Sequence, residues 1–157
     1  MAVQILGMSV FDFIPVATSL LAVTISAITF FFQSRSQRRA VTLHMHTIWN
    51  SEAMRRARRN GFAIAGVVKS GGVPLKQIPG EQANALLDIK QFFADLNQLY
   101  EVGALDNGLA RKLFGAAIKA WFEEVFHNVE HDESGPGHQS RAFFTSKVLP
   151  LQSRLST

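Results

Sequence analysis

The residues best suited to metal chemistry lie near the end of one predicted helix. Glu124, His127 and His131 are spaced i, i+3 and i+7, which brings them to one side of a helix. Carboxylate-bridged metal sites in helical bundles use Glu-x-x-His units, but they need two units and further carboxylates on facing helices. A solvated helix end, with histidines near the C-terminal dipole, gives the same pattern. These three residues are therefore weak metal candidates, and the sequence predicts no cofactor.

Other reactive side chains form no recognisable catalytic constellation. His44 and His46 are two residues apart, so a helix places them on different faces. Glu101 precedes a predicted glycine turn, where a surface or capping role is favoured over a general base. The sequence has no Walker loop, dinucleotide-binding glycine motif, Gly-x-Ser-x-Gly elbow or His-Glu-x-x-His motif. It also has no cysteine, which excludes thiolate catalysis and disulfides. We therefore expect a protein that is not an enzyme.

A cluster of arginines is the strongest charged feature. It consists of Arg55, Arg56, Arg58 and Arg59. These side chains could be solvated or paired internally, or they could bind a protein partner, anionic lipid or nucleic acid. Interleaved aromatic residues and a known nucleic-acid-binding module are both missing, so nucleic acid is the least favoured partner. Within the same helix, Glu52 and Arg56 form a favourable i,i+4 pair.

Residues 14–32 form an uncharged, mostly apolar run that predicts a transmembrane helix. Nineteen helical residues measure about 28 Å, close to the thickness of a bilayer's hydrocarbon core. A cleaved signal peptide would need a basic start and a shorter apolar core, and a buried core helix would seldom be so uniformly apolar. Arg35, Arg38 and Arg39 follow at once, and positive flanks stay in the cytoplasm. The prediction is a single-pass protein of a bacterial inner membrane, with its N-terminus outside.

One face of the predicted span carries small residues that could contact another helix. Its members are Thr18, Ala22, Ser26 and Thr29. Small residues four apart let membrane helices approach closely, and hydroxyl groups can hydrogen-bond across the contact. Alternatively, the hydroxyls bond the backbone of their own helix. The face predicts self-association or docking on another membrane helix without deciding between them.

The rest of the chain predicts a small cytoplasmic helical bundle. A basic helix leaves the membrane and ends at Asn60 and Gly61, with Met45, Ile48 and Trp49 on its apolar stripe. An amphipathic helix covers residues 81–102, and Asp106 can cap a central apolar helix that continues to about residue 131. A short helix stops near Pro150. The predicted layout is an extracytoplasmic N-terminus (1–13), a membrane helix (14–32), a cytoplasmic helical domain (33–149) and a flexible tail (150–157).

The charges of the cytoplasmic part are segregated along the chain. Residues 33–76 contain nine Lys or Arg and one acidic residue, whereas residues 77–134 contain four Lys or Arg and ten acidic residues. A basic block beside an apolar segment is typical of a protein that lies close to a membrane.

Residues 92–108 and the layout around them resemble a bacterial and phage family of unknown function. Such proteins resemble this chain in having an N-terminal membrane helix, a basic helix with Trp followed by Ser-Glu, and a helix with an Asn, an aromatic-Glu pair and a Val-Gly turn. Here these are Trp49, Ser51, Glu52, Asn97, Tyr100, Glu101, Val102 and Gly103. The resemblance implies a membrane anchor and a helical fold, and it implies no activity.

We therefore expect an all-α, non-catalytic, membrane-anchored interaction or accessory protein. Its expected partners are membrane lipid and either a protein or a second copy, contacted through the membrane helix and the cytoplasmic bundle. An alternative function is a membrane-perturbing effector of toxin or phage-defence type, for which the Thr18, Ala22 and Ser26 face would be essential. A metal-dependent enzyme is a further alternative.

Overall fold

The computed structural model describes residues 10–70, 80–126 and 144–155. Every regular element within them is helical, which confirms the predicted all-α fold. In chain order the helices are α1 (Val10–Trp49), α2 (Glu52–Lys69), α3 (Gly80–Glu101), α4 (Asn107–Ala120) and α5 (Leu149–Leu155). A π-helical segment, Trp121–Phe126, continues α4, and a second one, Phe144–Val148, leads into α5. The chain divides into two compact units, Met1–Gln37 and Arg38–Thr157.

The first unit contains the larger part of α1, and its described apolar side chains are exposed. Between half and three-quarters of each of the following side chains is accessible: Leu20, Leu21, Val23, Ile25, Ile28, Phe30, Phe31 and Phe32. Within the described part of the chain, no helix combines the length and the apolar character needed to cross a membrane.

Aromatic side chains dominate the core of the second unit. The ring of Phe93 lies 6.2 Å from that of Phe122 and 6.1 Å from that of Phe126, measured between centroids. Trp49, at the end of α1, packs on Phe92 and Phe93 with centroid distances of 4.9 and 5.4 Å. Offset and edge-on ring contacts of this kind add to the free energy gained by burying apolar area. The α1 stripe predicted from the sequence is buried at Met45 and Trp49.

The π-helical segment after α4 places neighbouring residues together in the core. Its buried side chains are two adjacent pairs: Trp121, Phe122, Val125 and Phe126. A wider helical turn changes which residues share a face, and here it directs both members of each pair inward. The predicted central apolar helix is present up to Phe126, and its expected continuation to residue 131 lies outside the described residues.

The sequence predicted a basic helix ending at Asn60 and Gly61, and this boundary is wrong. The chain breaks earlier, between α1 and α2, and both residues lie inside α2. Ser51 marks the true start, because its Oγ accepts the N–H of Met54 at 3.3 Å. Gly61 has a packing role instead: a Cβ there would lie 2.6 Å from the ring of Trp121. Gly61 therefore permits close packing of α2 against the Trp121 ring and does not end the helix.

The turn after α3 has the geometry that its sequence predicted. Gly103 has a φ of +67°, which glycine adopts without a steric penalty. Its N–H donates to the carbonyl of Tyr100 at 3.0 Å, and the N–H of Ala104 donates to that of Leu99 at 2.9 Å. These two bonds form a Schellman motif that satisfies the last carbonyls of α3.

Asp106 caps α4, as predicted, and also joins α4 to α1. Its Oδ1 accepts the N–H of Leu109 at 3.0 Å. Its own N–H donates to Oγ1 of Thr42 at 3.0 Å, while that hydroxyl donates to the carbonyl of Arg38 at 2.8 Å. The Nε of Arg39 lies 3.7 Å from Oδ2 of Asp106. Thr42 is fully buried, so this contact is part of the folded core.

The predicted flexible tail at 150–157 is helical as far as Leu155. Pro150 is the second residue of α5, and α5 follows the π-helical segment directly, so the helical run continues across the proline. Leu151 and Leu155 are buried, which gives these residues a packing role. The expected helix stop near Pro150 is therefore wrong, because burial of the two leucines stabilises the helix beyond a residue that donates no backbone hydrogen bond.

Candidate functional site

The arginine cluster predicted from the sequence lies along one exposed flank of α2. Ala57, Ile64 and Ala65 bury the neighbouring face of the helix in the core. Arg55 and Arg59 are one turn apart on the flank beside that face, and both are exposed. Among the residues that the structure describes, neither guanidinium group has a hydrogen-bond or ion-pair partner.

Arg58 is held in place by an aromatic ring. Its guanidinium carbon lies 4.4 Å from the centroid of the Trp49 ring, a cation–π contact. Partial burial, and then the charge of Arg55, lower the pKa of Arg58 from its ordinary value. An arginine stays protonated in proteins despite such a shift. Arg58 is therefore a fixed positive charge close to a second one.

Arg55, Arg58, Arg59 and Phe62 together line one open surface pocket of about 520 Å³. Phe62 is 40% exposed, and its ring centroid lies 4.5 Å from that of Trp121. The ring thus gives the pocket an apolar wall that is supported from the core. Three guanidinium groups beside an aromatic wall can bind an anion, since guanidinium groups bind carboxylate and phosphate through paired hydrogen bonds.

Arg56, the fourth member of the cluster, points elsewhere. Its Nη2 lies 3.2 Å from Oε1 of Glu52, which is the i,i+4 pair predicted from the sequence. Both side chains are exposed, and such pairs contribute about 0–1 kcal/mol. The structure therefore separates one paired arginine from three arginines that share a pocket.

The small-residue face of α1 is exposed at Thr18, Ala22, Ser26 and Thr29. Two of its hydroxyls bond their own helix: Thr18 donates to the carbonyl of Pro15 at 2.9 Å, and Thr29 to that of Ile25 at 2.8 Å. The alternative of backbone bonding within the helix thus holds for these two residues. These hydrogen bonds do not change the small size of the side chains, so another helix can still approach this face closely.

A polar cluster that the sequence reasoning missed connects α3 to α5. Nη1 of Arg154 donates to Oδ1 of Asn97 at 2.9 Å and to Oε1 of Glu101 at 3.0 Å. Asn97 Nδ2 donates to Glu101 at 3.2 Å, and the Arg154 guanidinium carbon lies 5.6 Å from the Tyr100 ring centroid. The hydrogen bond from Arg154, ahead of the one from Asn97, lowers the pKa of Glu101. Glu101 is therefore a structural ion-pair partner, in agreement with the surface role expected for it.

Of the remaining sequence candidates, those in the described part of the chain are not among the residues that line the arginine pocket. Glu124 is exposed in the π-helical segment, whereas His127 and His131 lie outside the described residues. The described residues contain no group of three His, Asp or Glu side chains that could hold a metal ion. His46 lies edge-on to Phe114, with 6.1 Å between ring centroids, and His44 is exposed.

Comparison of the chain with known protein families, with curated proteins and with solved structures finds no match.

Proposed function

We propose that this protein is a non-catalytic, membrane-anchored accessory protein that docks on a larger membrane or membrane-associated complex. The observation that carries the proposal is the exposure of large apolar side chains along α1 before residue 33. Phe30, Phe31 and Phe32 are 74%, 63% and 64% exposed, and they are consecutive, so they point to several sides of the helix. Large apolar side chains exposed on several sides of one helix favour an apolar environment.

Lipid is the environment that fits this part of α1. Covering a large apolar side chain stabilises it by about 1.5–3 kcal/mol, and a bilayer can cover all sides of one helix. The uncharged run at residues 14–32 is long enough to span a bilayer. Within it, the side chains of Ile14, Val16 and Ala17 lie outside the described part of the structure. Arg35, Arg38 and Arg39 then favour a cytoplasmic second unit.

The second unit supports docking rather than catalysis. Its charged contacts connect helices to each other, as Arg154 does with Glu101 and Arg39 does with Asp106. In the described part of this unit, the side chains of Phe93, Phe122 and Phe126 lie in the core. A compact helical body on a membrane anchor, with a basic flank on α2, suits attachment to a partner.

The test is purification from membranes of the full-length protein with a C-terminal affinity tag, in a mild uncharged detergent. We expect a defined membrane complex to co-purify, and we expect expression to leave the membrane potential unchanged. The matched variant Ala22→Ile enlarges the small-residue face and keeps the helix apolar. If the partner binds through this face, Ala22→Ile reduces its recovery.

A different result would favour the effector function. In that case, expression would depolarise the membrane, and Ala22→Ile would abolish the depolarisation. Recovery of the wild-type protein without any partner, in the soluble fraction, would contradict both the anchor and the accessory role.

A further inference from the structure

The pocket on α2 concentrates positive charge that the described residues do not neutralise. Arg55, Arg58 and Arg59 line it, and none of its lining residues in the described part of the chain is acidic. Glu52 is the nearest acidic residue along α2, and it pairs with Arg56. Like charges held close together repel each other, so a bound anion would relieve an unfavourable arrangement.

One of the three arginines is positioned before any ligand binds. Stacking on Trp49 restricts Arg58, and Trp49 itself is fixed by the rings of Phe92 and Phe93. An arginine that is already ordered loses less conformational entropy when it forms a hydrogen bond to a ligand. The pocket thus contains one ordered guanidinium group, and the exposed Arg55 and Arg59 line it as well.

The chemistry and size of the pocket indicate the class of ligand. Three guanidinium groups match the several oxygens and up to two negative charges of a phosphoryl group better than the single charge of a carboxylate. The pocket, of about 520 Å³, is open to solvent, so it can hold a phosphoryl group and leave part of a larger ligand exposed. Phe62 offers an apolar surface for the organic part of such a ligand.

We propose that Arg55, Arg58 and Arg59 bind the phosphoryl group of a phosphate ester whose organic part lies against Phe62. The phosphate ester could come from an anionic lipid headgroup or from a soluble metabolite, and the chemistry of recognition is the same. The proposal does not depend on the membrane anchor, because the pocket belongs to the second unit alone.

Equilibrium dialysis of the full-length protein in an uncharged detergent tests the proposal directly. The probes are radiolabelled inorganic phosphate and glycerol 3-phosphate, at constant ionic strength set with sodium chloride. We expect one saturable site that binds glycerol 3-phosphate more tightly than inorganic phosphate. Arg59→Gln should weaken binding roughly tenfold, the equivalent of one charge-assisted hydrogen bond.

Arg56→Gln is the matched control, because it removes the same charge from the same helix outside the pocket. It should change the affinity less than about twofold, as expected for a screened surface charge.

Repeating the dialysis with the protein in lipid nanodiscs identifies the source of the ligand. If phosphatidic acid discs, whose headgroup is a phosphate monoester, abolish glycerol 3-phosphate binding and phosphatidylcholine discs do not, the ligand is an anionic headgroup. If binding persists in both, the ligand is a soluble phosphate ester.

Three results would overturn the proposal. The first is that saturable phosphate binding by the wild type is no greater than that by an Arg55→Gln/Arg59→Gln double variant. The second is an equal loss of binding in Arg56→Gln and Arg59→Gln, which would indicate general charge attraction. The third is Arg59-dependent binding of a Glu-rich peptide without any binding of phosphate, which would indicate an acidic protein partner.

Discussion

At the scale of single residues, Thr42 joins two helices that are far apart in the sequence. Its buried hydroxyl accepts the N–H of Asp106 and donates to the carbonyl of Arg38. Thr42→Val keeps the shape of the side chain but leaves the Asp106 N–H without its acceptor. We expect a loss of about 1–3 kcal/mol in the free energy of unfolding, measured by urea denaturation in detergent.

Thr47→Val provides the control for this substitution. Thr47 is exposed, and its hydroxyl donates to the carbonyl of Leu43 in its own helix. Its replacement should change stability by less than about 0.5 kcal/mol. Equal effects of the two substitutions would show that the link between Thr42 and Asp106 contributes no more than a surface hydroxyl.

The ion pair between Glu101 and Arg154 predicts a dependence of stability on pH. Arg154 lowers the pKa of Glu101 below its ordinary value of 4.5, so the folded state releases this proton more readily than the unfolded chain. The resulting stabilisation is present above the unfolded pKa and is lost as the pH falls through the folded pKa. The free energy of unfolding of the wild type should therefore approach that of Glu101→Gln as the pH falls below the ordinary pKa of 4.5 and through the lowered folded pKa.

Arg154→Met should remove the same pH dependence, because it takes away the main cause of the pKa shift. Measuring all three proteins by tryptophan fluorescence tests the pair. Parallel curves for the wild type and Glu101→Gln over this pH range would contradict the assignment.

At the scale of elements, the close packing of α2 against Trp121 depends on Gly61. A Cβ at position 61 would lie 2.6 and 2.9 Å from two atoms of that ring, so one of the helices must shift. We expect Gly61→Ala to destabilise the protein by about 1–3 kcal/mol, as overpacking does. The readout is the urea midpoint of unfolding.

Gly66→Ala is the matched control within the same helix. Nothing lies within 4 Å of a Cβ at position 66, so the substitution should stabilise by about 0.5–1 kcal/mol through helix propensity. If both substitutions destabilised the protein, close packing at Gly61 would not be the cause of the effect of Gly61→Ala.

Elements with a strong local pattern could be predicted from the sequence. α3 was predicted at 81–102 because its buried residues, among them Leu86, Ile89 and Phe93, recur at helical spacing. The cap at Asp106 and the glycine turn at Gly103 were also predicted, because each depends on neighbouring residues. The break between α1 and α2 was missed, since Gly61 has the same local chemistry as a helix end and its true role depends on a ring from a distant helix.

At the scale of the whole molecule, contacts between distant parts of the chain set the limit of prediction. The four arginines of α2 were predicted as one cluster, together with the Glu52–Arg56 pair, but the grouping of the other three around a pocket needs the positions of Trp49 and Phe62. The contacts of Arg154 join residues 53 and 57 positions apart, and no local pattern marks them. Three residues singled out in the sequence have structural roles here: Trp49 packs in the core, Ser51 caps α2 and Glu101 pairs with Arg154.

The proposed membrane anchor depends on the environment of α1. Cell fractionation with alkaline carbonate tests whether that environment is lipid. We expect the full-length protein to stay in the membrane pellet. Ile25→Asp/Ile28→Asp should release it, because each acidic residue costs about 2.5–3.5 kcal/mol in the middle of a span. Leu43→Asp/Ile48→Asp, two exposed apolar residues of α1 in the second unit, should leave it in the pellet. Wild-type protein recovered as a dispersed monomer in the carbonate supernatant would contradict the proposed membrane anchor.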